Sequence, residues 1–92
     1  MPSLYKIETT PHFERDFLKL DRPVAARVLK KIDLLATHPE LVTQAIQNPP
    51  SDLEGIHKYR VGDYRILLWV DHPARVLTLY AVAHRREVYR GL

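Results

Sequence analysis

The chain has 92 residues, of which 46% are apolar and 27% are charged, and it contains no cysteine. This length is typical of one domain with a single hydrophobic core, and the lack of cysteine excludes disulfide bonds, thiolate nucleophiles and cysteine-based metal sites. The net charge of +3 comes from residues 53–92, which carry seven Lys and Arg against four Asp and Glu, and this indicates a polyanionic partner such as nucleic acid or an acidic protein.

We expect no targeting segment in the first ten residues, MPSLYKIETT. They lack the basic start and the apolar run of about 7–15 residues that characterise a secretion signal. No segment approaches the ~20 apolar residues of a membrane span. We therefore expect a soluble protein of the cytoplasm with no membrane partner, folded as a single domain over residues 1–92.

The N-terminal residues predict a strand that leads into a helix. Residues 4–8 alternate between apolar and polar side chains and favour a strand. Thr10 before Pro11 is typical of a helix start, because a hydroxyl group can cap the helix and proline fits its first turn. An apolar stripe at helical spacing follows, made by Phe13, Phe17 and Leu20.

A second helix follows directly. Asp21 can cap it and Pro23 can occupy its first turn, and the apolar spacing continues to about Thr37. The residues that carry this spacing are Val24, Val28, Ile32 and Leu35. Residues 38–52 contain three prolines and no strong period, which indicates a short helical turn followed by a loop.

The last 40 residues predict an antiparallel meander. Alternating runs at Leu53–Val61, Tyr64–Val70 and Val76–Ala83 are separated by turn sequences at residues 62–63 and 71–74. We therefore expect an α+β fold in which an N-terminal strand and a two-helix hairpin precede three antiparallel strands. The helices should pack on one face of a twisted sheet.

The first hairpin of this meander concentrates positive charge on one face. If Gly62 and Asp63 form a two-residue loop, Arg60 lies opposite Arg65 and Lys58 lies on the same face. The other face is apolar and suits the helices, so we expect the charged face to be uncovered. Like charges opposed across strands are unfavourable by some tenths of a kcal/mol, which points to a site for an anion. The alternative is a solvated strand face whose cations only keep the domain soluble.

The second turn leaves two registers open. Pairing of Val70 with Arg75 places His84 beside Arg65, whereas pairing of Val70 with Val76 places Arg85 there. Strand ends often twist or bulge, so both His84 and Arg85 could reach the mouth of one cleft.

The stretch YRVGDYRILLWV, the ending HRREVY and the order of elements resemble the RelE/ParE superfamily of bacterial and archaeal toxins. The likeness covers nearly the whole chain, and its most specific parts are the G-D-Y-R turn and the H-R-x-E-V-Y ending. Members that resemble RelE cleave messenger RNA in the ribosomal A site. Members that resemble ParE inhibit DNA gyrase and have no nuclease activity.

The resemblance implies roles for residues of the hairpin and of the chain end. Arg65 matches an arginine that contacts the scissile phosphate, and Lys58 and Arg60 match a basic strand that holds RNA. Ile56 stands where some members have a further lysine, and several ribosome-dependent members use a histidine close to the position of His84. The resemblance therefore implies His84 as the first candidate for the base and Lys58 as the second. The implied catalytic residues are Lys58, Arg65, His84, Arg85 and Tyr89, and the implied RNA-binding residues are Lys58, Arg60, Arg65, Trp69 and Arg86.

The implied chemistry is cleavage by the RNA's own 2′-hydroxyl group, which needs no metal and no cofactor. An imidazole changes protonation state near neutral pH and suits the base, while arginines stay charged and can bind two phosphate oxygens at once. Arg60 and Arg65 would clamp the phosphate. Arg85 and Tyr89 would act on the leaving side or stack a base.

The resemblance also implies partners. An acidic, amphipathic antitoxin segment would bind the basic groove flanked by Leu67 and Trp69, and the ribosome with its mRNA would be the target. The antitoxin normally reads operator DNA in such pairs, so we expect no direct DNA binding by this chain. Two alternatives to the nuclease are a ParE-like gyrase inhibitor and a non-catalytic binding module.

Overall fold

A computed structural model describes residues 4–90 and 92, and it confirms the predicted α+β architecture. Helices α1 (Pro11–Leu18) and α2 (Arg22–Thr37) pack on one face of a five-stranded sheet whose strand order is β1-β5-β4-β3-β2. The strands are β1 (Lys6–Thr9), β2 (Gln44–Ala45), β3 (His57–Val61), β4 (Tyr64–Asp71) and β5 (Val76–His84). Strand β1 is parallel to β5, and the other neighbours are antiparallel. No helix in the described ranges combines the length and the apolar character needed to cross a membrane.

The helix starts follow the predicted signals in different ways. The Thr10 hydroxyl accepts a hydrogen bond from the Phe13 N–H at 3.1 Å and caps α1, as predicted. Asp21 precedes α2, but its side chain makes no capping hydrogen bond. The apolar residues at helical spacing do form the core, together with residues of β3, β4 and β5. The buried members are Phe13, Val24, Val28, Ile32 and Leu35 from the helices, with Val61, Ile66, Leu68, Leu77, Leu79 and Val82 from the sheet.

The predicted register of the first hairpin is confirmed. Val61 pairs with Tyr64, and Arg60 pairs with Arg65, across a turn whose first central residue is Gly62 at φ +59°. A tight hairpin turn requires a positive φ at this position, where glycine has no steric cost. The two arginines therefore lie directly opposite each other.

Both registers considered for the second hairpin are wrong. Val70 pairs with Leu77. Further along β4 the pairing shifts by one residue: Leu68 lies opposite Leu79, but the next residue, Leu67, lies opposite Ala81. Tyr80 is the extra residue of this β-bulge. A bulge cannot be read from strand alternation, because it depends on how the whole sheet twists.

The expectation that the charged face is uncovered is also wrong. Leu67 on this face is fully buried, in a second cluster with Ala81 and with residues of the 46–56 segment and the chain end. The other buried members are Leu53, Ile56 and Val88. Leu53 lies in a 3₁₀ turn and not in the predicted strand, which begins at His57, and residues 44–45 form a short edge strand that the sequence did not predict. Two residues are too few to show a period, and their pairing depends on the tertiary fold.

We expect Leu67→Ala to reveal this second core. Removal of a fully buried leucine leaves a cavity and typically costs about 2–5 kcal/mol of the free energy of unfolding. Leu18→Ala is the matched control, because Leu18 is 83% exposed and surface changes stay within about 0.5 kcal/mol. Urea denaturation measures both variants, and equal midpoints for the two would show that the covering segment does not pack on the sheet.

Candidate nucleic-acid interface

The first hairpin turn gathers two arginine side chains around one carbonyl group. Arg60 donates from Nε to the Gly62 carbonyl oxygen at 3.3 Å, and Arg65 donates from Nη1 to the same oxygen at 2.9 Å. Arg65 Nη1 also donates to the Tyr64 carbonyl oxygen at 2.8 Å. These contacts hold the guanidinium groups at the turn through neutral acceptors, so their charges are not cancelled.

A third arginine reaches the same turn from the end of β5. The backbone N–H of Arg85 donates to the Asp63 carbonyl oxygen at 2.7 Å, and the Arg85 side chain is exposed. Within residues 4–90 and 92, none of the salt bridges involves Arg60, Arg65 or Arg85. The side chains of Arg60 and Arg65 therefore lie at the turn and the backbone of Arg85 joins it, and none of the three has a carboxylate partner among the described residues. We call Arg60, Arg65 and Arg85 the arginine cluster.

Lys58 and Tyr89 extend this face along β3. The Lys58 ammonium lies 5.8 Å from the centre of the Tyr89 ring, within the range of a cation–π contact. Tyr89 follows the buried Val88, which anchors the chain end on the second core, and the Tyr89 side chain stays 41% exposed. The structure thus brings these two predicted residues together on the face that carries Arg65.

His84 is separated from Arg65. It pairs with Tyr64 across the strands, and the two rings meet edge to face at 5.5 Å. Arg65 pairs with Ala83. Because successive residues of a strand point to opposite faces, Arg65 and Ala83 lie on one face of the sheet, and Tyr64 and His84 lie on the other. His84 lies on the side of α1, and Arg85 reaches the hairpin turn.

Two predicted RNA-binding residues lie at the margin of this surface. Trp69 is half-buried, and its indole N–H donates to the Glu54 carbonyl oxygen at 3.0 Å. Arg86 is exposed, and its backbone N–H donates to His84 Nδ1 at 3.2 Å. The expected groove between Leu67 and Trp69 does not exist, because Leu67 is fully buried and the indole is tied to the 46–56 segment.

The sequence reading missed a polar pair beside the sheet edge. His12 Nδ1 lies 3.2 Å from Asp16 Oδ2, and both residues line a cleft that also contains His84. Their spacing of four residues on α1 is the signal that could have found the pair, because such residues are neighbours on one helix face.

Comparisons with known proteins all find toxins of toxin–antitoxin systems. The family model described as the ParE toxin of type II toxin–antitoxin systems, parDE, matches residues 7–89. The chain is 29% identical over 87 residues to Toxin RelE of Mycobacterium tuberculosis, covering 94% of this chain and 87% of the relative. The fold is similar to the toxin–antitoxin complex RelBE2 of the same species, with a TM-score of 0.77 at 25% identity over 95% of this chain and 98% of that chain. It also matches the intact Escherichia coli RelBE complex, with a TM-score of 0.71 at 17% identity over 87% of this chain and 95% of that chain.

We expect the arginine cluster to give salt-dependent binding of a single-stranded RNA oligonucleotide. Each phosphate contact makes the negative slope of log K against log salt concentration steeper by about 0.7, so Arg60→Gln with Arg65→Gln should make that slope shallower by about 1.4. Arg15→Gln with Arg22→Gln is the control, because it removes the same charge from exposed helix positions. Fluorescence anisotropy at several salt concentrations measures the slopes, and equal slopes in the two double variants would place the RNA elsewhere.

Proposed function

The chain belongs to the RelE/ParE superfamily of toxins of type II toxin–antitoxin systems, and we propose that it is a ribosome-dependent endoribonuclease that cleaves mRNA in the A site. The relative named Toxin RelE supports the RelE-like branch. We infer from the cytoplasmic location of ribosomes that the toxin acts in the cytoplasm.

The observation that carries this proposal is the arginine cluster around Gly62 and Asp63. The guanidinium groups of Arg60 and Arg65 lie at this turn, the exposed side chain of Arg85 starts from a residue whose backbone is bound to it, and no carboxylate in the described residues pairs with any of the three. Cleavage of a phosphodiester bond adds negative charge to the phosphate oxygens in the transition state. Guanidinium groups stay charged and bind two oxygens at once, so they stabilise that charge.

The reaction we propose needs a base, a phosphate clamp and an acid. The base takes the proton of the 2′-hydroxyl group, and the 2′-oxygen then attacks the adjacent phosphorus. The bond from phosphorus to the 5′-oxygen breaks, and that oxygen takes a proton from the acid. The products are a 2′,3′-cyclic phosphate and a 5′-hydroxyl end. The reaction does not require a metal, because the nucleophile is the RNA's own 2′-hydroxyl group and side chains supply the base, the positive charge and the acid.

We assign the base to Lys58, the second candidate from sequence, and not to His84. Lys58 shares its face with Arg65 and lies over Tyr89, whereas His84 lies with Tyr64 on the other face. Arg60 and Arg65 bind the phosphate, and Arg85 with Tyr89 acts on the leaving side. The acid that protonates the departing 5′-oxygen is on this leaving side as well.

We infer an antitoxin partner, because the RelE chains in solved relatives are bound to RelB antitoxins. An acidic segment that neutralises the arginine cluster would block access of mRNA to it. The surface for it includes the hairpin turn and excludes the buried Leu67. We expect no direct reading of DNA by the toxin.

A gyrase inhibitor is the second candidate, and the matching family model favours it because that model describes ParE toxins. The fold alone does not distinguish the two branches, since members of both share it. The chemistry of the arginine cluster favours the nuclease.

Induced expression followed by mapping of mRNA 5′ ends tests the proposal directly. We expect cuts phased with the reading frame, and we expect Arg65→Ala with Arg85→Ala to remove them, because loss of one charge-stabilising donor costs about a hundredfold or more. Arg15→Ala with Arg22→Ala is the control for total charge. Inhibited gyrase supercoiling with intact mRNA would instead establish the second candidate.

The two candidate bases are separated by their own variants. We expect Lys58→Met to slow single-turnover cleavage on ribosomes by about 10²–10⁴. His84→Ala should have a smaller effect because His84 points away from Arg65. The reverse order of effects would assign the base to His84.

A further inference from the structure

A cleft of about 320 Å³ lies between α1 and the end of β5. Strand β1 pairs with β5 only from Val76 to Leu79, so the outer edge of β5 beyond Leu79 has no neighbouring strand. The cleft opens along this edge. Its polar and aromatic lining residues are His12, Asp16, Lys19, Tyr64, Tyr80, His84, Glu87 and Arg90.

A half-buried carboxylate fixes the first histidine of the cleft. Asp16 Oδ2 accepts the Val82 backbone N–H at 3.1 Å and lies 3.2 Å from His12 Nδ1, and the Asp16 side chain is only 18% exposed. The Tyr80 ring stacks on the His12 ring at 4.7 Å. A carboxylate at Nδ1 favours the tautomer with its hydrogen there. The neutral His12 ring then presents a lone pair at Nε2.

The second histidine has the opposite arrangement. His84 Nδ1 accepts the Arg86 backbone N–H at 3.2 Å, so the neutral ring carries its hydrogen at Nε2. The Tyr64 ring packs edge to face against it at 5.5 Å. One cleft therefore combines an imidazole that accepts a hydrogen bond with an imidazole that donates one.

The remaining groups supply charge of both signs and flat surfaces. Lys19 and Arg90 bring positive charge, and Glu87 brings a second carboxylate to the lining of the cleft. A phosphate group takes hydrogen bonds from cations and from an imidazole N–H. Ribose hydroxyl groups donate to carboxylates and to an imidazole lone pair, and a nucleobase packs on tyrosine rings.

We propose that this cleft binds a nucleotide, as a free nucleoside monophosphate or as the 5′-phosphorylated end of an RNA strand. The site lies on the sheet edge next to α1, whereas the arginine cluster lies at the hairpin turn, so it is additional to the proposed nuclease site. It requires neither the ribosome nor cleavage. Its volume is within the usual range for small-ligand sites, which is about 300–1,000 Å³.

Histidine ring NMR signals of the isolated protein test the proposal. We expect AMP to shift the His12 and His84 signals in a saturable way, and to bind at least about tenfold more tightly than inorganic phosphate or adenosine alone, because both halves of the ligand contribute contacts. A 5′-phosphorylated RNA trinucleotide forms the second arm. Tighter binding of the trinucleotide than of AMP identifies an RNA end, and equal binding identifies the free nucleotide.

Substitutions locate the site. His12→Ala and His84→Ala should each weaken AMP binding by about tenfold, with folding checked by circular dichroism. His38→Ala is the matched control, because His38 Nδ1 lies 3.0 Å from Glu40 Oε1 in a similar but exposed pair at the end of α2. Asp16→Asn should change the ring nitrogen shifts of His12 without AMP, since the carboxylate sets its tautomer.

Three results would overturn the proposal. The first is AMP-induced shifts confined to residues 60–65 and 85. The second is equal affinity for AMP and inorganic phosphate, and the third is no saturable shift up to about 10 mM ligand. Arg65→Ala distinguishes this cleft from the proposed nuclease site. The variant should still show the AMP-induced shifts of His12 and His84, whether or not the protein cleaves mRNA.

Discussion

The tight turn at Gly62 and Asp63 is the constraint on which the functional surface depends. Gly62 adopts a positive φ, and the turn sets the register that places Arg60 opposite Arg65. The same turn supplies the carbonyl oxygens that receive Arg60, Arg65 and the backbone of Arg85. The backbone carbonyl groups thus compensate the repulsion between the two arginines. The guanidinium groups keep their charge and remain available to an anion. A longer or slipped turn would scatter these charges.

The sheet is buried on both faces, and this determines where the cations can lie. Leu68 packs under the helices, and Leu67 packs under the 46–56 segment and Val88. A charged group over the middle of either face would lose its hydration, and no described residue there would offset that free-energy cost with an ion pair or hydrogen bond. The charges therefore sit at the rim, at the hairpin turn and at the chain end. A rim site is open to a large partner such as an antitoxin.

The bulge at Tyr80 divides the chain end between two surfaces. It shifts β5 by one residue against β4, so that Ala83 faces Arg65 and His84 faces Tyr64. Arg85 then reaches the hairpin turn, and His84 joins the cleft beside α1. Residues that are adjacent in the HRREVY motif consequently lie on different surfaces. This separation is what favours Lys58 as the base of the proposed reaction.

The amino-acid sequence by itself determined the α+β class, the Thr10 cap, the apolar faces of the helices and the register of the first hairpin. These features are local, because helix period, strand alternation and a two-residue turn act within a few neighbouring residues. Only the tertiary structure decided the bulge at Tyr80, the edge strand at residues 44–45 and the burial of Leu67. Each of these depends on segments far apart in the chain that compete to cover the same sheet. The placement of His84 away from Arg65 belongs with them, since one extra residue in β5 reverses which side chains share a face.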